Sequence, residues 1–224
     1  MKALCLDHVS FGYDEKHNVL DDICLKIDRG AVAAVTGRSG AGKSTLAMAA
    51  CGVIPKSVSG CFKGSVRVLG EDIADKEIFE TAGIISMVFQ DPESQLFAPT
   101  VADEVAFGPE NLCFGREAIN DRLADALETV GMEAFAVHPP SMLSGGQQQL
   151  IALASILSLG PEVIILDEVA AQVDEVGVAL LKDAVKALKR QGKTILIIEH
   201  GNSFKALYDE VYVLENGRLS RSGA

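Results

Sequence analysis

Gly37–Thr45, read as GRSGAGKST, has the residue types and spacing to hold a triphosphate. Gly37 and Gly42 have four residues between them and are followed by Lys and Ser, which fits the phosphate-loop pattern. Gly37, Gly40 and Gly42 lack a Cβ, so the backbone through Arg38, Ser39 and Ala41 can bend tightly and turn its N–H groups into an anion nest. Lys43 brings a full positive charge to the terminal phosphates, and the Ser44 hydroxyl can ligate Mg²⁺. Thr45 opens a helix whose positive dipole end faces the same anion. The flanks suit this chemistry: apolar Ala31–Thr36 reads as a buried strand, and Leu46–Cys51 has good helix formers.

Two further stretches supply groups for phosphoryl chemistry. Val163–Glu168 (VIILDE) places two acids where an apolar strand ends, Asp167 to hold Mg²⁺ through water and Glu168 to orient or deprotonate an attacking water. An acid at a strand end can also simply cap the loop that follows. In Leu143–Gln149 (LSGGQQQ), Ser144 reads as an N-cap, and Gly145 and Gly146 expose backbone N–H groups ahead of an apolar helix, Leu150–Leu159. The competing reading is a capped core helix with a glycine-rich entry. The position of this heptapeptide between phosphate loop and acid-tipped strand favours a second anion site.

With these three motifs the chain resembles the ATP-binding-cassette ATPases over nearly its whole length. The resemblance implies a head-to-tail dimer of cassettes, each ATP lying between GRSGAGKST of one and LSGGQ, including Gln147, of the other. It makes Tyr13 the adenine-stacking aromatic, Gln90 a residue that senses Mg²⁺ and the partner, Asp174 the dimer-contact aspartate and His200 the switch histidine near the γ-phosphate. Phe89–Leu112 (FQDPESQLFAPTVADEVAFGPENL) is similar to the corresponding segment of energy-coupling-factor and cobalt-type importer ATPases. That narrower likeness implies a peripheral subunit on the cytoplasmic face of a membrane. Its expected partners are a second cassette, a membrane-embedded coupling subunit and a substrate-binding subunit, and its expected cargo is a vitamin or transition-metal ion.

The chain departs from the family pattern at Val169, Val173 and Glu175, where Pro, Leu and Pro are usual, at Leu150 in place of Arg, and at Gly201 in place of Asp. Lys43, Asp167, Glu168 and His200 all remain, so hydrolysis is expected, and the departures point to pairing with a different cassette at two unequal sites. They equally suggest a nucleotide-binding regulatory subunit with little catalysis. A soluble cassette ATPase of DNA repair or translation is a further alternative. A formal net charge of −11 without a basic block disfavours a nucleic-acid partner. Many relatives of the importer group carry a C-terminal dimerisation region, whereas this sequence stops at RSGA, as a short form or one half of a fused two-cassette protein would. The five cysteines are scattered without metal spacing and read as free thiols of a reducing compartment. No apolar run reaches the ~18 residues of a membrane span.

The elements that must position these residues follow from periodicity. Residues 4–11, Asn18–Ile27, Gly64–Leu69, Ile84–Phe89, Pro161–Leu166, Thr194–Ile198, Glu210–Leu214 and Arg218–Ser220 read as strands, the last two joined by an Asn216–Gly217 turn. Val101–Phe107, Arg116–Val130 and Asp174–Arg190 read as helices. The expected fold is a single α/β domain over residues 1–224. It has a phosphate-loop core with a mainly parallel sheet, an N-terminal antiparallel β subdomain and a helical subdomain inserted at about 91–159. Glu93, Asp103, Glu104 and Glu110 are expected to present an acidic docking face for a basic helix of the membrane subunit, or else a merely solvated one.

Overall fold

The computed structural model describes residues 1–222; Gly223 and Ala224, the end of RSGA, lie outside the described residues. The chain runs β1 (Lys2–Gly12), β2 (Leu20–Asp28), β3 (Val32–Thr36), α1 (Lys43–Ala50), α2 (Val53–Lys56), β4 (Cys61–Val68), β5 (Glu71–Asp72), α3 (Ile78–Thr81) and β6 (Ile85–Val88). It continues through α4 (Val101–Asn111), α5 (Arg116–Val130), α6 (Gly145–Leu157), β7 (Val163–Asp167), α7 (Glu175–Arg190), β8 (Thr194–Glu199), β9 (Glu210–Glu215) and β10 (Arg218–Arg221).

Two sheets form. The smaller, in the order β2-β1-β4-β5, is antiparallel. The larger runs β10-β9-β3-β8-β7-β6, parallel throughout except for the β9–β10 hairpin. Its central strands β3, β7 and β8 are continuously apolar between their ends because both faces are covered. Ala33, Val35, Val163, Ile165, Leu196 and Ile198 face a core shared with α1 and the smaller sheet. Val32, Ile164, Leu166, Ile195 and Ile197 face a second core under α4–α7. The break in the β6 apolar run is satisfied internally, since Ser86 Oγ donates to the Ala82 carbonyl at 2.7 Å.

Asn216 and Gly217, at φ 50° and 75°, make the tight turn that their residue types suggest. The hairpin ties the two sheets together: Asp21 N donates to the Gly217 carbonyl at 2.7 Å, and Arg218 Nε donates to Asp21 Oδ2 at 3.0 Å. Between the paired strands β6 and β7 the chain is helix and turn, with α6 packed against both α4 and α5. Strand and helix limits differ from the sequence expectations by a few residues; β1 reaches Gly12 and α6 begins at Gly145 rather than Leu150.

Two departures from the family pattern are core residues. Leu150 and Val169 are buried in the helical core, where an apolar side chain fills space that a charged one could not occupy unpaired. Val173 sits where α6 and α7 nearly touch. A Cβ on Gly146 would lie 2.7 Å from Gly177 Cα and 3.0 Å from Val173 Cγ1, and a Cβ on Gly177 would lie 2.4 Å from Val173 Cγ1. Gly177→Ala is therefore expected to destabilise the fold, because overpacking of about 1–3 kcal/mol exceeds the helix-propensity gain of about 1 kcal/mol. A lower denaturation midpoint checks this; an unchanged or higher one contradicts it.

Candidate functional site

Parallel strands deliver their carboxyl ends to one edge of the larger sheet. Thr36 pairs with Glu199 across β3 and β8, and Asp167 with Ile198 across β7 and β8, so the phosphate loop, both acids and His200 emerge side by side. Gly42 takes φ 96° as α1 begins, and a Cβ there would meet Val19 Cγ1 at 2.9 Å. Only glycine lets the loop turn into the helix at this point. α1 starts at Lys43, two residues before the expected Thr45, so Lys43 and Ser44 stand in its first turn.

Lys43 is 4% exposed. Its Nζ donates to the carbonyls of Gly37 and Arg38, both at 3.2 Å, and lies 3.0 Å from Glu168 Oε1. Among the described residues, Glu168 is the carboxylate in ion-pair contact with the buried loop lysine. Glu168 itself adopts φ 50°, a left-handed conformation uncommon outside glycine, which turns its side chain off the β7 line. Asp167 is buried, and its Oδ1 has no hydrogen-bond partner. Burial pushes its carboxyl above the usual aspartate range; the Glu168 charge adds to this, while the Ser44 hydroxyl and Lys43 oppose it. An orphaned carboxylate oxygen beside a serine hydroxyl is a donor set of hard oxygens, which fits a Mg²⁺ ion.

Glu168 and the exposed His200 line one cavity of about 140 Å³, with Glu199, Ser203 and Phe204 completing its wall. Glu199 is 5% exposed, and burial raises its carboxyl from the ordinary value. Tyr13 reaches the loop helix: its hydroxyl lies 3.1 Å from Thr45 Oγ1, and its ring, half exposed, meets the edge of Phe11 at 5.0 Å.

The other candidates lie on α6, α7 and the loop after β6. Ser144 and Gly145 are exposed, whereas Gly146 is buried against α7. Ser144 and Gln147 form a reciprocal cap: Gln147 N donates to Ser144 Oγ at 3.4 Å and Ser144 N to Gln147 Oε1 at 3.0 Å. The first-turn N–H groups of Gly145 and Gly146 have no acceptor within the helix. Gly146 accordingly has a packing duty that the sequence pattern did not disclose. Asp174 is exposed and caps α7, accepting from Gly177 N at 2.8 Å.

Gln149 was not singled out from the sequence, although it stands inside the quoted heptapeptide. It is 2% exposed, and its Nε2 donates to the Gln90 carbonyl at 2.8 Å and to the Phe89 carbonyl at 3.4 Å. It joins the LSGGQQQ helix to the loop carrying Gln90. Gln149 Oε1 has no partner. Gln149→Leu removes that unsatisfied atom but also takes the donor from the Gln90 and Phe89 carbonyls, so a stability loss of about 1 kcal/mol is expected. Hydrolysis is expected to fall several-fold with ATP affinity unchanged, since Gln90 loses its tether; equal turnover in steady-state assays refutes this role.

The expected acidic face needs correction at one position. Glu104 is 4% exposed, and its Oε2 accepts from Phe97 N at 2.9 Å and Ala98 N at 2.8 Å. A carboxylate consumed by backbone N–H groups cannot greet a partner. Glu93, Asp103 and Glu110 are exposed as expected, and they share the surface with aromatics: Phe97 and Phe107 stack edge to face at 4.7 Å, with Phe89 also exposed. Phe97→Asp tests the aromatic part of this surface as a docking site. Among the described residues no helix is long and apolar enough to cross a membrane.

Known proteins match this geometry. The family described as ABC transporter matches residues 20–171. An energy-coupling factor transporter ATP-binding protein, EcfA, of Methanocaldococcus jannaschii is 39% identical over 216 residues, covering 95% of this chain and 76% of the relative. A relative from Methanosarcina acetivorans is 39% identical over 202 residues, 89% of this chain, which spans only 32% of that longer protein. The structure of cbiO1 from Clostridium perfringens, part of the ABC transporter complex cbiONQ, aligns with TM-score 0.87 and 31% identity over 98% of this chain and 87% of that one. The phosphate loop and the acid-tipped strand share one sheet edge, the capped LSGGQQQ helix lies in the helical layer, and the family match spans most of the sequence: the chain belongs to the ABC transporter family.

Proposed function

We propose that the chain is the ATP-hydrolysing subunit of a membrane importer of the energy-coupling type. The Lys43–Glu168 pair, 3.0 Å apart at the mouth of the phosphate loop, is the observation that supports this most. The Glu168 carboxylate stands where Lys43 would meet an incoming phosphate. ATP entering the nest formed by Gly37–Thr45 takes Lys43 for its terminal phosphates and releases Glu168. The freed carboxylate then orients or deprotonates a water for in-line attack.

His200, across the same cavity, holds the γ-phosphate, and Tyr13 stacks on the adenine. Ser44, Gln90 and, through water, Asp167 would hold Mg²⁺, which when bound neutralises charge on the phosphate oxygens. The partner cassette presents its own Ser144–Gln147 turn, whose free N–H groups stabilise the developing charge. Asp174, exposed at the start of α7, lies at that contact. Closure is carried from Gln90, tethered by Gln149, to the exposed Phe89–Phe97–Phe107 surface, where the membrane-embedded coupling subunit docks. This makes the chain a peripheral protein at the cytoplasmic face of the membrane. A substrate-binding subunit confers specificity for a vitamin or a transition-metal ion; the relatives named energy-coupling factor transporter ATP-binding proteins support the coupling part of this reading.

The test is co-purification and reconstitution with membrane subunits of the energy-coupling type from the same organism. ATP-driven uptake that fails with Glu168→Gln supports the proposal. ATP binding with uptake and hydrolysis indifferent to Glu168 points instead to a regulatory nucleotide-binding subunit. Loss of co-purification in Phe97→Asp, with the ATP affinity of the isolated chain retained, is expected if the aromatic surface is the docking site; full retention excludes that surface.

A further inference from the structure

Away from the nucleotide site, Asp7, His8 and Cys24 gather on the outer face of the smaller sheet, and Asp22 joins them through His8. Their meeting is built by irregularities in two adjacent strands. The pairing of β1 with β2 slips between Leu6 and Val9, and that of β1 with β4 slips between Asp7 and Ser10. In regular strands successive side chains point to opposite faces. Here Leu6 and Val9 are both buried while Asp7 and His8, between them, are not. Opposite them, Asp22 precedes buried Ile23, and exposed Cys24 follows it. His8 and Asp22 hold left-handed conformations, φ 52° and 57°, that let both side chains stay outside.

The donors are close. His8 Nδ1–H donates to Asp22 Oδ1 at 2.6 Å, Cys24 Sγ is 3.8 Å from His8 Nδ1, and one ligand atom from each of Asp7, His8 and Cys24 lies within 4.8 Å of the others. Tetrahedral Zn²⁺ has ligand bonds of about 2.0–2.3 Å, which sets its donors roughly 3.3–3.8 Å apart. Exposed side chains reach that separation by small rotations. Among the described residues, no lysine or arginine lies within 4.0 Å of the Asp7 or Asp22 carboxylate; His8 pairs with Asp22, and the nearby Lys26 charge acts at longer range.

We propose that Asp7, His8, Cys24 and Asp22 form a binding site for a borderline-soft divalent cation of the Zn²⁺ type. One thiolate, one imidazole and carboxylate oxygens suit Zn²⁺ or Co²⁺, and they disfavour Mg²⁺ and Ca²⁺, which take oxygen ligands. The cation displaces the proton shared by His8 and Asp22 and the Cys24 thiol proton, and it ties β1 to β2 where their ladder is interrupted. None of these residues lines the nucleotide site, so the proposal stands apart from the transport reading.

The test is titration of the purified, reduced, nucleotide-free chain with Co²⁺, followed by Zn²⁺. Thiolate-to-cobalt charge transfer saturating at one equivalent and abolished by Zn²⁺ is expected. Cys24→Ser should eliminate that absorption, and His8→Ala should weaken apparent affinity at least about tenfold. The double variant Cys61→Ser/Cys113→Ser, which removes other exposed thiols, should bind as the unaltered chain does. Absorption that survives in Cys24→Ser, disappears in the double variant, or never saturates near one equivalent overturns the site. Circular dichroism and retained ATP binding show that each variant is folded.

Discussion

Glu168→Gln is expected to cut steady-state ATP hydrolysis by about 10²–10⁴-fold while ATP binds more tightly. The loss follows from removing the group that orients or accepts a proton from water. The gain in affinity follows from the pair with Lys43. The lysine is almost wholly buried, and the Glu168 carboxylate lies 3.0 Å from its Nζ. Nucleotide phosphate must displace that carboxylate, whereas an amide competes for Lys43 far less. Equilibrium binding and turnover, measured on the same preparation in the assembled complex, separate the two effects. Hydrolysis within a few-fold of the unaltered protein removes Glu168 from the chemistry; weaker ATP binding refutes the displacement argument.

Lys43→Ala should act in the opposite sense on binding. A charge-assisted contact to phosphate contributes about 1.5–3 kcal/mol, so affinity is expected to fall roughly 10–150-fold. Glu168 simultaneously loses its counter-charge beside Asp167, whose own carboxyl is already raised by burial and by the Glu168 charge. Two neighbouring acids without a cation repel an incoming triphosphate further. Combining Lys43→Ala with Glu168→Gln should therefore restore part of the lost affinity. If the double variant binds ATP no better than Lys43→Ala, the two side chains do not compete as described.

Much of this site is readable from composition and order along the chain. An apolar run that ends in two acids gave β7 with Asp167 at its tip, and two-sided burial explains why β3, β7 and β8 carry no alternation. The glycine spacing announced the nest. What stayed hidden depends on distant partners. Glu104 looked like a helix-surface acid until the turn before α4 folded back and used its carboxylate. Gln149 gained its role because α6 packs beside the end of β6, a contact across about sixty residues.

Gly146 matched an anion-site pattern, but its burial comes from α7, which lies beyond the next strand. The short elements α2, β5 and α3 carry too few residues for any period to register and are held by tertiary contacts. The slipped register at Asp7 and His8 was likewise invisible, since alternation alone would send these two side chains to opposite faces.

The central claim is that two cassettes close on ATP, the phosphate loop of one against the Ser144–Gln147 turn of the other. Sedimentation of the Glu168→Gln chain with Mg²⁺-ATP, alone and mixed with the second cassette of its membrane complex, tests it most directly. The account predicts an ATP-dependent two-cassette species that disappears when Ser144→Arg is added on either member. Full symmetric association of the chain by itself would argue against obligate pairing with a different cassette. ATP bound to a chain that remains single in both arrangements, or association indifferent to Ser144→Arg, would contradict the account.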